Sequence, residues 1–264
     1  MEIGRVSRAS LAAKIVEQLR REILAGRLRP GERLPPEREL ALVLGTNRNT
    51  LREAIRSLET MGLVHARQGD GVSVLDFRTT GQIDLLGPLL AAGLEPNSLR
   101  RVLGEILRFR RVALAEAAAL AAERASAEES ARLAGVLARI RASLGDRAAL
   151  VSLDLEFFRV LTEISGSLVA RLLFNTFVRV YEDLIRERPE LFVCPEGYPE
   201  SLAAVAAAIA GGRPDEARRQ LDEHLARGDE QAFGIVMAAL EGAGRSGAGS
   251  RELLGGHMGN GHGR

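Results

Sequence analysis

The chain has 264 residues, of which 46% are hydrophobic and only 4% aromatic, and its 36 Lys and Arg are nearly balanced by 35 Asp and Glu. This length allows two domains, the aromatic-poor composition favours closely packed helices, and the single cysteine, Cys194, excludes an internal disulfide and suits a reducing compartment. No apolar run reaches the roughly 20 residues that span a bilayer, and no signal peptide precedes the first helix, so we expect a soluble, cytoplasmic protein with no membrane partner.

Positive charge is concentrated towards the amino terminus. Residues 1–80 hold 14 basic and 10 acidic side chains, whereas the remainder holds 22 basic and 25 acidic. Such an excess is what contact with nucleic-acid phosphates requires. A first helix is predicted here because apolar residues recur at helical spacing, at Ile15, Val16, Leu19 and Ile23.

Residues 33–57 predict a short helix, a glycine turn at Gly45 and a second helix. The apolar face of the short helix is predicted to consist of Leu40, Val43 and Leu44. Asn47 can cap the second helix by accepting from its unpaired N–H groups. The inward face of that helix is predicted from apolar residues at helical spacing, Leu51, Ile55 and Leu58.

This inward face leaves Arg48, Asn49 and Arg52 on the outward, amino-terminal side of the second helix. Arginine offers a bidentate donor fork to guanine, and asparagine can pair with adenine as both donor and acceptor. A recognition helix contacts the major groove with residues at this position. The sequence therefore predicts a DNA-binding helix-turn-helix; a merely solvated helix face is the alternative.

Residues 62–76 alternate apolar and polar side chains around Gly69-Asp70-Gly71. This pattern predicts a small β-hairpin, the wing of a winged helix. From about residue 81 only helices are predicted, over residues 82–92, 97–125, 128–144, 147–166, 168–187, 197–211 and 214–241.

The predicted fold is mainly α: a winged helix-turn-helix of three helices and a hairpin over residues 1–78, then an all-helical bundle for ligand binding and dimerisation over residues 79–241. Residues 242–264 contain nine glycines and lack an apolar face. We therefore expect that tail to be disordered.

The amino-terminal third resembles the GntR family of bacterial transcription regulators in GRLRPGERLPPERELA (26–41), NRNTLREAIRSLETMGLV (47–64) and QGDGVSV (68–74). The resemblance implies that Arg38 contacts phosphate or base and that the wing tip probes the minor groove. The candidate DNA-binding residues are Arg38, Asn47, Arg48, Asn49, Thr50, Arg52, Gln68 and Gly69. The alternatives are that Arg38 only pairs with a neighbouring glutamate and that the wing-tip residues only form the turn.

The helical remainder resembles the FCD effector domain of the fatty-acid metabolism regulator (FadR) branch. The matching segments are LDFRTTGQIDLL (75–86), LDLEFFRVLTEISGS (153–167), LLFNTFVRVY (172–181) and AAAIAGGRPDEARRQLDEHL (206–225). The resemblance implies a cavity for an effector, either a fatty acyl-CoA or another acidic metabolite. Its candidate residues are Arg110, Asp154, Phe158, Asn175, Tyr181 and His224.

Many FCD domains bind a divalent metal through one Asp and three His. Asp154 and His224 occupy two of those positions, whereas Phe158 and Leu202 stand at the other two. Since neither Phe nor Leu has a lone pair to donate, we expect no metal and no other cofactor. A metal-dependent sensor of a hydroxy acid or sugar acid is the alternative.

Arg110 could anchor an effector carboxylate or phosphate through two parallel hydrogen bonds, or it could simply face solvent. Four phenylalanines at helical spacing are predicted to lie in the core rather than to line a ligand site: Phe157, Phe158, Phe174 and Phe177. No nucleophile–base pair or phosphate-binding glycine loop is found, so we do not expect an enzyme.

These features together predict a homodimeric transcription regulator, a repressor or an activator, that binds double-stranded operator DNA. A two-fold dimer on a palindrome would join two short contacts into one tight one. Effector binding would lower operator affinity by favouring a different conformation. An architectural DNA-binding protein without a ligand is the remaining alternative.

Overall fold

The computed structural model describes residues 8–67, 69–187 and 194–250. The chain forms two compact units, divided between Leu99 and Arg100. This division falls later than the boundary predicted at residue 78. The reason is that Leu85 and Ala92 are buried in the core of the amino-terminal unit.

The described part of the amino-terminal unit begins with three helices and a hairpin, in the order α1 (Arg8–Leu24), α2 (Glu37–Val43), α3 (Arg48–Thr60), β1 (Val64–Arg67) and β2 (Gly71–Val74). α1 packs on α3. The predicted apolar positions of α1 are buried, and Leu51 and Leu58 of α3 are inaccessible to solvent. The winged helix-turn-helix predicted from the sequence is therefore confirmed.

The wing is an antiparallel pair in which Val64 lies opposite Val74 and Arg67 opposite Gly71. The segment before α2 extends this sheet: Arg33 bridges to Ser73, and the Leu34 N–H donates to the Val72 carbonyl at 2.9 Å. This pairing attaches the start of α2 to the wing.

Short elements follow the wing: α4 (Phe77–Thr80), a 3₁₀ turn (Ile83–Leu85) and α5 (Leu86–Ala91). The sequence predicted one helix over residues 82–92. The structure instead divides this segment into a 3₁₀ turn and a short α-helix, and α5 packs against α1.

Six helices follow: α6 (Pro96–Arg124), α7 (Ala127–Ala142), α8 (Arg147–Ile164), α9 (Leu168–Glu187), α10 (Tyr198–Ala210) and α11 (Pro214–Ser250). They agree with the predicted helices except that α11 continues past residue 241 to Ser250, into the segment expected to be disordered. No proline follows Pro214 in this stretch, so no residue forbids the helical backbone. Residues 251–264 of the predicted tail lie outside the described residues.

The core of the second unit combines small and large side chains. Ala117, Ala118 and Ala121 of α6 are buried, which lets neighbouring helices approach closely, and Phe157 is inaccessible to solvent. The four phenylalanines predicted for the core are all buried. Within the described ranges, none of the helices combines the length and apolar character that crossing a bilayer needs.

Candidate nucleic-acid interface and effector site

The start of α3 has the geometry predicted for a recognition helix. The Asn47 side chain caps it by accepting from the Thr50 N–H at 2.9 Å. Asn47, Arg48, Asn49 and Arg52 are exposed. The buried face consists of Thr50, Leu51, Ala54, Ile55 and Leu58, so the polar side chains project away from the core.

The structure contradicts the prediction for the Thr50 side chain, which is only 3% exposed. Thr50, Ala54 and Leu58 are spaced four residues apart and share one side of α3 with the core. A side chain on that side cannot enter a DNA groove.

The predicted apolar face of α2 is also partly wrong. Val43 is 74% exposed, and the buried residues of this helix are Leu40 and Ala41. With seven residues, α2 buries only a narrow stripe, and Val43 falls outside it. Arg38 is exposed near the start of the same helix.

The tip of the wing is exposed and tightly turned. Gly69 has a φ of +80°, a conformation that side chains rarely adopt, and a Cβ there would meet nothing within 4 Å. The next residue, Asp70, forms an ion pair with Arg33 at 2.6 Å. Gln68, the other predicted wing contact, lies outside the described residues.

A concave groove runs between α3 and the wing. Its lining includes charged side chains of both signs: Glu37, Arg52, Arg56, Glu59 and Arg67. Across it, Arg52 Nε donates to Glu37 Oε2 at 2.9 Å. The sequence did not predict this ion pair between Glu37 and Arg52, because it arises where two helices cross and not from a periodic spacing.

The second unit contains a small cavity of about 30 Å³, enough for one or two water molecules. Its lining residues come from α6, α8 and α9: Arg110, Leu114, Asp154, Leu155, Phe158, Phe174, Phe177, Val178 and Tyr181. Four of the six predicted effector residues, Arg110, Asp154, Phe158 and Tyr181, are therefore brought together.

Asn175 does not belong to this group, because its side chain is exposed. In α9 the residues facing inward are Phe174, Phe177, Val178 and Tyr181. Asn175 lies about 100° around the helix from Phe174, which directs it to solvent. The structure thus contradicts its prediction as an effector residue.

Asp154 accepts a hydrogen bond from the Tyr198 hydroxyl. Burial raises the pKa of this carboxyl to about 6, while the Tyr198 hydroxyl and the Arg110 charge act in the opposite direction. Tyr198 was not identified from the sequence; the residues are 44 positions apart, and no motif connects them.

Arg110 is directed inward rather than to solvent. Its Nη2 donates to Asp229 Oδ1 of α11, and the two side chains are only 22% and 12% exposed. Burial raises the pKa of Asp229 to about 6, opposed by the charges of Arg110 and Arg111. Within the part of the chain that is described, Arg110 Nε and the second Asp229 oxygen have no hydrogen-bond partner.

His224 lies beside this cavity but does not line it. It is 5% exposed, and its Nδ1 is 2.7 Å from Ser201 Oγ. Its ring centroid is 5.3 Å from that of Tyr198. Burial lowers the pKa of His224 to about 4, helped by the charges of Arg227 and Arg110. The imidazole is therefore neutral near pH 7, as a core histidine with a satisfied ring nitrogen.

These side chains do not fit a metal ion. Asp154 is hydrogen-bonded to the Tyr198 hydroxyl, and His224 is hydrogen-bonded to the Ser201 hydroxyl. Across residues 8–67, 69–187 and 194–250, no three His, Cys, Asp or Glu side chains cluster closely enough to hold one.

Comparison with known proteins relates both units to established families. Residues 11–74 match the family of bacterial regulatory proteins called gntR, and residues 105–227 match the FCD domain. The HTH-type transcriptional regulator Mce2R of Mycobacterium tuberculosis (strain CDC 1551 / Oshkosh) is 33% identical over 240 residues, which are 91% of this chain and 97% of that protein. This chain belongs to the GntR family. Its relatives are named transcriptional regulators rather than enzymes.

Another GntR relative is the HTH-type transcriptional repressor NanR of Cronobacter sakazakii, which is 32% identical over 228 residues, 83% of this chain and 84% of that protein. Among solved structures, the Streptococcus agalactiae GntR matches with a TM-score of 0.46 and 23% identity, covering 83% of this chain and 99% of that one. The matches to the gntR family and the FCD domain, together with the two regulators, show a DNA-binding regulator of the GntR type with an FCD effector domain.

Proposed function

We propose that this chain is a homodimeric repressor whose affinity for a palindromic operator is lowered by a small anionic effector. The observation that carries the DNA-binding part is the outward projection of Arg48, Asn49 and Arg52 from the capped start of α3. The groove between α3 and the wing, which Gly69 helps to line, would lie over the duplex, and Arg38 is exposed one residue after the lining residue Glu37. The name of the NanR relative supports repression rather than activation.

The DNA-binding part is tested by selecting operators from random duplexes with the wild-type protein and measuring their affinity at constant salt. Arg48→Ala should weaken operator binding by about 5- to 150-fold, since a bidentate arginine contact contributes about 1–3 kcal/mol of base discrimination. Arg219→Ala, which removes an exposed arginine of α11, is the matched control. Equal affinities for both variants and wild type would count against α3 as the recognition helix.

Apolar side chains on the outer faces of α6 and α9 support the homodimer. Five of them are more than half exposed: Phe109, Val112, Leu168, Val169 and Leu172. The two helices are neighbours, since the rings of Phe109 and Phe177 are 6.4 Å apart. Covering this face with a second copy would remove apolar surface from water and join two recognition helices.

Oligomeric state tests this interface. Phe109→Glu should convert the dimer to monomer in sedimentation velocity, because it would bury an unpaired charge. Leu144→Glu changes an exposed apolar residue between α7 and α8 and should leave the dimer intact. A wild-type protein that is monomeric at micromolar concentration would contradict the homodimer.

The anionic effector is supported by the guanidinium of Arg110 at the cavity. A carboxylate or phosphate could replace Asp229 as its partner, satisfying the unpaired Nε as well. An acyl thioester of the kind implied by the FadR resemblance is one such ligand; a smaller carboxylic acid is the other. Since the cavity has room for only one or two waters, binding would require the surrounding helices to separate. That movement could be transmitted to the DNA-binding units.

Native mass spectrometry of the protein from its own host would identify a retained ligand, and metal analysis of the same sample would test the alternative of a metal-dependent hydroxy-acid or sugar-acid sensor. Added effector should release operator by roughly 5–150-fold, the usual range of allosteric coupling. Arg110→Ala should abolish that release without changing operator affinity in the absence of effector. Long-chain acyl-CoA without effect at saturation would exclude the acyl thioester.

A further inference from the structure

The pairing of Glu37 with Arg52 places a carboxylate on the surface proposed to bind DNA. Glu37 is the first residue of α2, and Arg52 lies in the second turn of α3, 15 residues later. A carboxylate at this position repels phosphates. If non-specific attraction were the only requirement, a neutral or basic residue would serve better.

Stability does not explain the pair either. The Arg52 side chain is 56% exposed and that of Glu37 35% exposed. Ion pairs this accessible contribute little to folding because water and salt screen them. Glu37 gains some favourable interaction with the amino terminus of α2, but Glu39 in the same turn has that advantage as well.

The geometry of the bond indicates another role. Glu37 accepts from Nε of Arg52, whereas guanine can be read by the two terminal nitrogens of the guanidinium. Among the described residues, Arg52 makes no further hydrogen bond in the structure. The carboxylate thus fixes the plane of the guanidinium and leaves its outer fork available. A long side chain held in one orientation loses less conformational entropy on binding.

We propose that Glu37 is a positioning residue that sets sequence specificity by orienting Arg52 for one base pair of the operator. This role rests on the proposed binding of α3 in the major groove. Glu37 has two effects: it presents the Arg52 fork to the correct base, which raises affinity for the operator alone, and its charge lowers affinity for every duplex by repelling phosphates.

The two effects give Glu37→Gln a signature that a structural defect would not produce. The glutamine amide oxygen can still accept from Arg52 Nε, but the charge-assisted bond that holds the guanidinium plane is lost. Binding to the selected operator should therefore weaken by up to about tenfold, the order of one oriented base contact. Binding to a scrambled duplex at the same salt should stay unchanged or become tighter, because one negative charge has been removed. The ratio of the two affinities therefore falls.

Glu39→Gln is the matched control, since it removes the same charge from the same turn of α2 without touching Arg52. It should change both affinities by the same small factor. Far-UV circular dichroism and melting temperature should be unchanged for both variants. If Glu37→Gln changed the affinity for both duplexes by the same factor, its effect would come from overall charge alone. That result would overturn the proposal.

A double-mutant comparison makes the test independent of folding defects. In an Arg52→Ala background, Glu37→Gln should cause no further loss of operator affinity, and each single variant should relax preference at the same base pair. A further loss, or relaxation at a different base pair, would overturn the proposal. A wild-type protein that selects no operator would overturn the proposed function itself, whereas an operator selected equally well by Glu37→Gln would overturn only the role of Glu37.

Discussion

The two units of this regulator use polar side chains in opposite ways. In the amino-terminal unit, the buried apolar face of α3 lies on one side of the helix. Arg48, Asn49 and Arg52 project from the other side and are exposed. In the helical unit, Arg110 and Asp154 are turned towards the interior, where they pair with Asp229 and Tyr198 on other helices.

This difference decides how function and stability are linked in each unit. An exposed side chain can be removed with little loss of folding energy, so its loss reports on binding alone. A buried polar side chain carries a desolvation cost, so changing it alters stability, and where the pKa of the buried group is shifted the stability also depends on pH. The polar side chains of the helical unit therefore contribute to its stability, while those of the DNA-binding unit form an exposed surface.

The largest contrast should come from truncating one core and one surface side chain. Phe157→Ala should lower the free energy of unfolding by about 3–5 kcal/mol, because it leaves a cavity at a site inaccessible to solvent. Arg48→Ala should change it by less than about 0.5 kcal/mol. Urea unfolding followed by circular dichroism measures both free energies. Similar losses for the two variants would contradict the contrast between the buried side chain and the exposed one.

The buried carboxyl should make stability depend on pH. Because the pKa of Asp154 is raised to about 6, its stabilising contribution is complete below about pH 4 and is lost as pH rises through 6. Asp154→Asn cannot ionise and still accepts from the Tyr198 hydroxyl. Relative to wild type, its free energy of unfolding should therefore increase by about 2–3 kcal/mol between pH 4 and pH 7.5.

Unfolding measured across that range tests this expectation, with Asp70→Asn on the exposed wing as the control for removing one negative charge. Parallel pH profiles for Asp154→Asn and wild type would show that the carboxyl is not held in a desolvated site.

The cap of the recognition helix should have a moderate effect. Asn47→Ala removes the acceptor of the Thr50 N–H and should cost about 1 kcal/mol of stability. Asn49→Ala, two residues later and exposed, should leave stability unchanged and lower operator affinity. If thermal unfolding found the same loss for both, the capping bond would not be the cause.

The smallest effect is expected at Val43. Val43→Ser should change the free energy of unfolding by less than about 0.5 kcal/mol because the side chain is exposed. Leu40→Ala on the buried side of the same helix should cost about 2–5 kcal/mol. A large loss of unfolding free energy for Val43→Ser would indicate that Val43 is buried, as the sequence pattern predicted.

Local patterns in the chain predicted most of the architecture. The 3.6-residue period identified α1 and α3, the alternation around Gly69 identified the wing, and Asn47 was recognised as a cap, since each of these signals depends on residues within a few positions of one another. Val43, Thr50 and Asn175 were misplaced because a helical period gives the direction of a face but not its width. How far burial extends around a helix depends on the neighbours that cover it.

The sequence by itself thus determined the winged helix and the helical second unit, because those elements are encoded in short-range spacing, and its motifs carried the resemblance to the GntR family. Only the tertiary structure decided which polar side chains form pairs. Arg52 pairs with Glu37, Tyr198 with Asp154, and Arg110 with Asp229 over separations of 15, 44 and 119 residues. The physical reason is that hydrogen bonds act over about 3 Å in space, so partners far apart in the chain can be identified only after the helices have packed.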